Sequence, residues 1–302
     1  MWNIVAPKYS YRRLIIKLCL ELFRSPKILN KKLTTKNLKF FLLYWKTNFH
    51  CNICGSISKP LFDFPDADLR DLHKIGLLRE TLQCQKCGAT NRDRTLAHGI
   101  LGEFYIRTGI LHDSINALSG VGLQGIAIMD SDAFSPISKQ LKGLVGYTCT
   151  SYMPDCSFGS LLGPGHYNID IQRIDFENNH FDIVLSSDMM EHVRDINSAH
   201  NEIFRILTAG GVYLFNVPYD SSLNLNRVLV DTSGDADIFM EQPHYHGDPL
   251  TGAILSYRIF GKQIFSDLSD IGFFVELNLI NKVENLIIDG DLFRAVKILN
   301  DK

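Results

Sequence analysis

The chain has 302 residues, 45% of them hydrophobic, and a formal net charge of -2. That length and apolar content suit a large globular domain with a smaller module, and exclude a disordered or low-complexity chain. No stretch reaches the roughly 18–20 apolar residues needed to cross a bilayer.

The near-neutral total hides an asymmetry. Residues 1–48 hold eleven Lys and Arg against Glu21 alone, a net +10, so the remainder carries -12. An acidic body argues against a nucleic-acid partner, because phosphate contacts dominate such affinity. The basic extension, read as one or two helices interleaved with Leu, Phe and Trp45, suits an anionic membrane surface or a protein partner. Leu14–Phe23 is apolar but interrupted by Lys17 and Glu21. It makes a poor signal-peptide core, and a cytoplasmic location is expected.

Residues 49–95 form a cysteine-rich module. Cys51 and Cys54, then Cys84 and Cys87, make two C-x-x-C pairs, each followed by glycine (Gly55, Gly88). Each pair lets two thiolates reach one ion, so four complete a closed tetrahedral site and imply a structural zinc. The 29 residues between the pairs leave room for a helix or hairpin, with Asp68–Leu78 the candidate segment.

From residue 96 strand and helix signals alternate. A helix is expected over Leu96–Ile106, a strand over Ile126–Met129, a helix over Ser135–Leu141 and a strand over Val145–Cys149. Phe181–Pro218 then reads as strand, helix over Val193–Leu207, the Gly210-Gly211 stop and a strand from Val212. A late helix over Ile264–Ile271 and strands over Phe273–Leu277 and Leu292–Ile298 close the chain.

The run Phe181-Asp182 plus apolar residues, then Glu191-His192, then a helix ending before Gly-Gly, closely resembles class I S-adenosylmethionine-dependent methyltransferases. The paired C-x-x-C module, Thr150-Ser151-Tyr152 and Tyr245-His246-Gly247-Asp248-Pro249 resemble a bacterial branch of that family. The resemblance implies an α/β fold: a doubly wound, mostly parallel, seven-stranded Rossmann-like sheet over 96–302, with the small zinc-binding module ahead of it. It implies S-adenosyl-L-methionine as cofactor, held by Asp130, Ser131, Ser135, Ser151, Tyr152, Asp170, Ile171, Ser186 and Ser187. Two departures stand out. The segment Asp130–Ser135 has no glycine, and Ser151 stands where the branch has a ribose-binding carboxylate.

Methyl transfer to a hydroxyl needs a base. His246 is the first candidate, with Asp248 to orient its ring; His192 competes, and His244 lies in the same segment. A second metal site in this H-x-H-x-D run ranks below acceptor binding. The leading reading is O-methylation of a sugar, glycan precursor or other small metabolite. A catalytically degenerate binding module and an RNA methyltransferase are the alternatives.

Overall fold

The computed structural model describes residues 48–62, 79–80, 82–248 and 252–298, with the backbone alone of Phe62 and Asp248. The expected helices in 1–47 and the expected helix or hairpin over Asp68–Leu78 lie outside the described residues.

The sheet follows from its apolar strands. We number its seven main strands β1 (Ile128–Asp130), β2 (Tyr147–Ser151), β3 (His166–Asn168), β4 (Phe181–Ser187), β5 (Leu207–Asn216), β6 (Phe273–Lys282) and β7 (Ile287–Lys297). Their order across the sheet is β6-β7-β5-β4-β1-β2-β3. All neighbours are parallel except β7, which runs against both β5 and β6. An eighth strand, Leu161–Gly163, adds to the free side of β3 as an antiparallel edge. The expected seven become eight because a short hairpin covers an otherwise open edge.

Successive side chains leave opposite faces of a strand, and here both faces are covered. Ile183, Leu185, Val212 and Leu214 enter one core together with Leu96, Ile100 and Phe104 of helix α1 (Asn91–Thr108). Val184, Tyr213 and Phe215 enter the other, with Ile203 of α4 (Ile196–Ile206) and Leu268 of α5 (Gln263–Ile271). The first core also contains Phe49, Cys51, Ile53, Leu82 and Cys84. The cysteine module therefore packs on the same apolar layer as α1.

Local signals explain the element ends. Thr90 and Asp93 form a reciprocal capping box at the start of α1, five residues ahead of the expected start, and Gly109 closes it in a left-handed conformation. Two short helices follow, α2 (Ile115–Val121) and α3 (Pro136–Leu141); Ser135 caps α3, with Pro136 in its first turn. The expected helix over Val193–Leu207 is shorter. A single 3-10 turn, Met190–His192, precedes it, and the chain turns extended at Leu207. The Gly210-Gly211 pair does not end the helix. It sits in an irregularity of β5 between Leu207 and Val212, where Gly210 has φ +73° and a Cβ on Gly211 would lie 2.8 Å from the Thr208 carbonyl.

Arg94 is fully buried in α1. Its guanidinium donates to the carbonyls of Ala89 (2.6 Å), Leu82 (3.0 Å) and Leu286 (2.9 Å), and its own carbonyl accepts from Asn52 (2.8 Å). Arg94→Leu would strip three buried carbonyls of their donor. It is expected to lower unfolding free energy in urea by about 3 kcal/mol or more. A loss below about 1 kcal/mol would show that these bonds do not hold the module to the sheet.

Candidate functional site

The carboxyl ends of β1, β2 and β4 meet at the sheet's switch point: from β1 the chain winds out to β3, then returns to β4 on the other side of β1. Ligand sites of open α/β sheets form at this place.

Asp130 is the last residue of β1 and is buried. Its Oδ2 accepts from the Tyr147 hydroxyl (2.7 Å) and more loosely from Ser135 (3.5 Å), and Oδ1 accepts from the Asp132 amide (3.0 Å). Asp132 Oδ1 in turn accepts from the Phe134 amide (2.9 Å). Carboxylates thus shape this loop where glycines would otherwise be expected. Ser131 Oγ is buried there without a hydrogen-bond partner.

Ser151 ends β2, and its hydroxyl lies 2.9 Å from His166 Nε2 at the start of β3. The position expected to carry a ribose-binding acid therefore carries a serine–histidine pair. His166 belongs to no motif, and its place beside Ser151 follows only from the β2–β3 pairing. Tyr152 is exposed and stacks on Phe158 at 5.5 Å. Beyond β3, Asp170 Oδ1 accepts from the amide (2.9 Å) and side chain (3.0 Å) of Gln172, and Ile171 is buried. At the end of β4, Ser186 turns into the core against the Tyr213 hydroxyl (2.5 Å). Ser187 donates to Asn216 (2.8 Å) and accepts from Arg92 (2.9 Å). Arg92 also pairs with Glu80 and Asp188, and Asp188 with Arg79 (2.7 Å).

Just past β4 the 3-10 turn holds Glu191 and His192. Glu191 Oε1 lies 3.6 Å from both His192 Nε2 and His246 Nδ1. The two imidazoles meet edge to face, 4.9 Å apart. His246 comes from the hairpin of His244–Asp248 with Gly252–Ser256, whose residue Leu255 contacts His192 Nδ1 through its carbonyl (2.8 Å). The two competing histidines thus occupy one cluster. The Glu191 carboxylate faces His246; the side chain of Asp248, expected to orient that ring, lies outside the described residues. Glu191 holds the His246 imidazole above its ordinary pKa. His244 stands outside the cluster, exposed on the same hairpin.

In the cysteine module the two C-x-x-C turns are alike. Gly55 N donates to the Cys51 carbonyl and Gly88 N to that of Cys84, both at 2.9 Å. The four Sγ atoms lie within 4.8 Å of one another, with Cys51–Cys87 at 3.7 Å and Cys54–Cys84 at 4.0 Å. Four thiolates 2.3 Å from a tetrahedral zinc would stand about 3.8 Å apart, so the donor set fits that ion.

Residues 155–215 match the family model described as "Methyltransferase domain". No curated protein sequence matches the chain. Among solved structures, the chain is similar to an S-adenosylmethionine-dependent methyltransferase of Methanosarcina mazei (17% identity, 58% of this chain and 93% of that one, TM-score 0.35). It is also similar to CalS10, an amino pentose methyltransferase of Micromonospora echinaspora (12%, 70% and 92%, TM-score 0.41). A third similarity is to a chain of the complex between the Haloferax volcanii Trm112 methyltransferase activator and a methyltransferase (15%, 69% and 95%, TM-score 0.41). The matched residues span β3, β4, α4 and β5 of a doubly wound sheet. Over residues 155–215 the chain therefore carries a methyltransferase domain.

Burial pushes the Asp130 carboxyl up to about 7. A carboxyl raised in the folded state binds protons that the unfolded chain has released. Its stabilisation is therefore complete below the unfolded value near 3.8 and lost as pH rises through about 7. Asp130→Asn keeps an acceptor for Tyr147 and removes the titration. The parent is expected to lose up to about 4 kcal/mol between pH 4 and 8 that the variant retains. Equal pH slopes of urea unfolding for the two proteins would overturn this.

Proposed function

We propose that the enzyme methylates a hydroxyl group on a sugar, glycan precursor or other small metabolite. One observation carries this reading: a carboxylate and two imidazoles converge just past β4, with His246 44% exposed. The acidic body favours a small acceptor over RNA.

S-adenosylmethionine supplies a methyl group on a sulfonium, whose sulfur leaves with the electron pair as the acceptor oxygen attacks. In this reading Ser131 and Ser135 bind in the loop after β1, and buried Asp130 keeps that loop in shape. Ser151, His166 and Tyr152 serve the ribose side, Asp170 and Ile171 the adenine side. Ser186 and Ser187 act indirectly, by fixing the end of β4. The unpartnered Ser131 hydroxyl supports a ligand at this place. Glu191, His192 and His246 receive the acceptor hydroxyl. Residues 1–48 dock the enzyme on an anionic membrane surface or a protein partner, and the protein works in the cytoplasm.

One observation favours a second reading, a methyltransferase fold that binds without turning over: Ser151 is engaged by His166 where a charged ribose contact was expected. Calorimetric titration with S-adenosylmethionine and S-adenosylhomocysteine separates the two. Binding by the parent is expected, weakened about tenfold or more, or 1.4 kcal/mol, in Asp170→Ala and in His166→Ala. Absence of any binding by the parent would leave only the non-catalytic fold.

We also propose that Cys51, Cys54, Cys84 and Cys87 hold a structural zinc. Cys84→Ser is expected to lose the thiolate-bound ion and to lower the melting temperature, because metal binding and folding of such modules are coupled. A variant that melts like the parent would remove the claim.

A further inference from the structure

A buried carboxylate normally gathers hydrogen-bond donors. Asp130 does so. Glu191 does not: its side chain is fully buried, and both oxygens lack a hydrogen-bond partner, a combination no other carboxylate among the described residues shows. Its surroundings sharpen the problem. The Leu255 carbonyl can only accept, so His192 Nδ1 carries the proton of that 2.8 Å bond. In the neutral ring Nε2 then presents a lone pair toward Glu191 Oε1, 3.6 Å away. His246 Nδ1 approaches the same oxygen at 3.6 Å. With His246 Nδ1 unprotonated, three electron-pair donors face one point, all within 4.8 Å of one another.

A cation between them resolves the arrangement. Bonds of about 2.1 Å at a tetrahedral angle would separate ligand atoms by about 3.4 Å, close to the spacing found. The Leu255 carbonyl takes the role usual behind a metal-bound imidazole, fixing tautomer and ring orientation. The turn is itself held in place. Glu191 O accepts from the Tyr257 amide (2.8 Å), and buried Arg258 donates to the carbonyls of Met190, Val193 and Arg194.

We propose that Glu191, His192 and His246 bind a first-row divalent cation, with zinc the best match for two imidazoles and one carboxylate. Three protein ligands leave a coordination position open, and the half-exposed His246 marks the side on which it opens. That position takes the acceptor oxygen; this role rests on the hydroxyl-acceptor reading, whereas the cation site does not. The coordinated hydroxyl gives its proton to water, and the oxygen then forms the new C–O bond. The methyl C–S bond breaks, its electron pair stays on sulfur, and a methyl ether and S-adenosylhomocysteine result. His246 then acts as a ligand, not as the free base.

The test is Co2+ titration of the full chain after chelator treatment. Cobalt on thiolates gives intense near-ultraviolet charge transfer, and cobalt on His2Glu does not. The parent is expected to take up about one equivalent without thiolate absorbance, whatever the cysteine module binds. Glu191→Gln and His246→Ala should lose that equivalent while keeping their thiolate band and their circular dichroism. Should Glu191→Gln misfold, His246→Ala at its half-exposed position carries the test. Uptake confined to thiolates in the parent, or undiminished non-thiolate uptake in His246→Ala, would overturn the proposal. Calorimetry with S-adenosylmethionine on the same variants reads the cofactor site separately: unchanged affinity alongside lost cobalt supports a distinct cation site, and loss of both overturns it.

Discussion

A guanidinium removed from water must find acceptors, and Arg94 finds three of them in two separate parts of the chain. Leu82 and Ala89 flank the second C-x-x-C turn, and Leu286 lies between β6 and β7. One buried cation thus fastens the cysteine module to the far end of the sheet. Asparagines repeat the device. Asn91 exchanges two hydrogen bonds with the backbone of Ile288, at 2.7 and 3.0 Å, and Asn285 donates to the His50 carbonyl at 2.9 Å. Apolar packing brings these segments together without selecting a register. The directional bonds select it, since a shift would leave a charge or an amide unpaired.

The same constraint sorts the carboxylates at the switch point. Asp130 is met by a hydroxyl and an amide, so it shapes the loop after β1. Asp188, held at φ +44°, is met by Arg79 and Arg92. Arg79 and Glu80 come just before the Leu82–Cys84 strand of the cysteine module. An ion network therefore runs from that module to the residue after β4, three positions from Glu191. Among the described carboxylates here, only that of Glu191 has both oxygens buried without a hydrogen bond, and it faces His192 and His246. Polar groups here either build the frame or stand unpaired where chemistry is proposed.

Much of the frame is legible in the sequence, because its signals are local. Uninterrupted apolar runs such as Ile183–Leu185 mark strands buried on both faces. Ser135 with Pro136 marks a helix start. The C-x-x-C-G repeats bring thiolates together through a tight turn that needs no partner. Asp130 at the end of the first strand, and Glu191-His192 just past the fourth, follow from the same reading. Gly210-Gly211 is not the helix stop that its sequence suggests: paired glycines suit a strand irregularity as well as a helix end, and only the β4–β5 pairing distinguishes them.

Tertiary structure decided which side chains meet. Ser151 and His166 are 15 positions apart, and Glu191 and His246 are 55 apart. Both pairs exist because separate strands and a hairpin converge at one end of the sheet. The Glu191 carboxylate that faces the His246 ring arrives from another element, a meeting that proximity along the chain does not reveal. Spacing reports periodicity, and periodicity assigns a residue to a face. Which group waits on the other side of that face depends on strand order and on the hydrogen bonds that lock it, neither of which any short window of sequence contains.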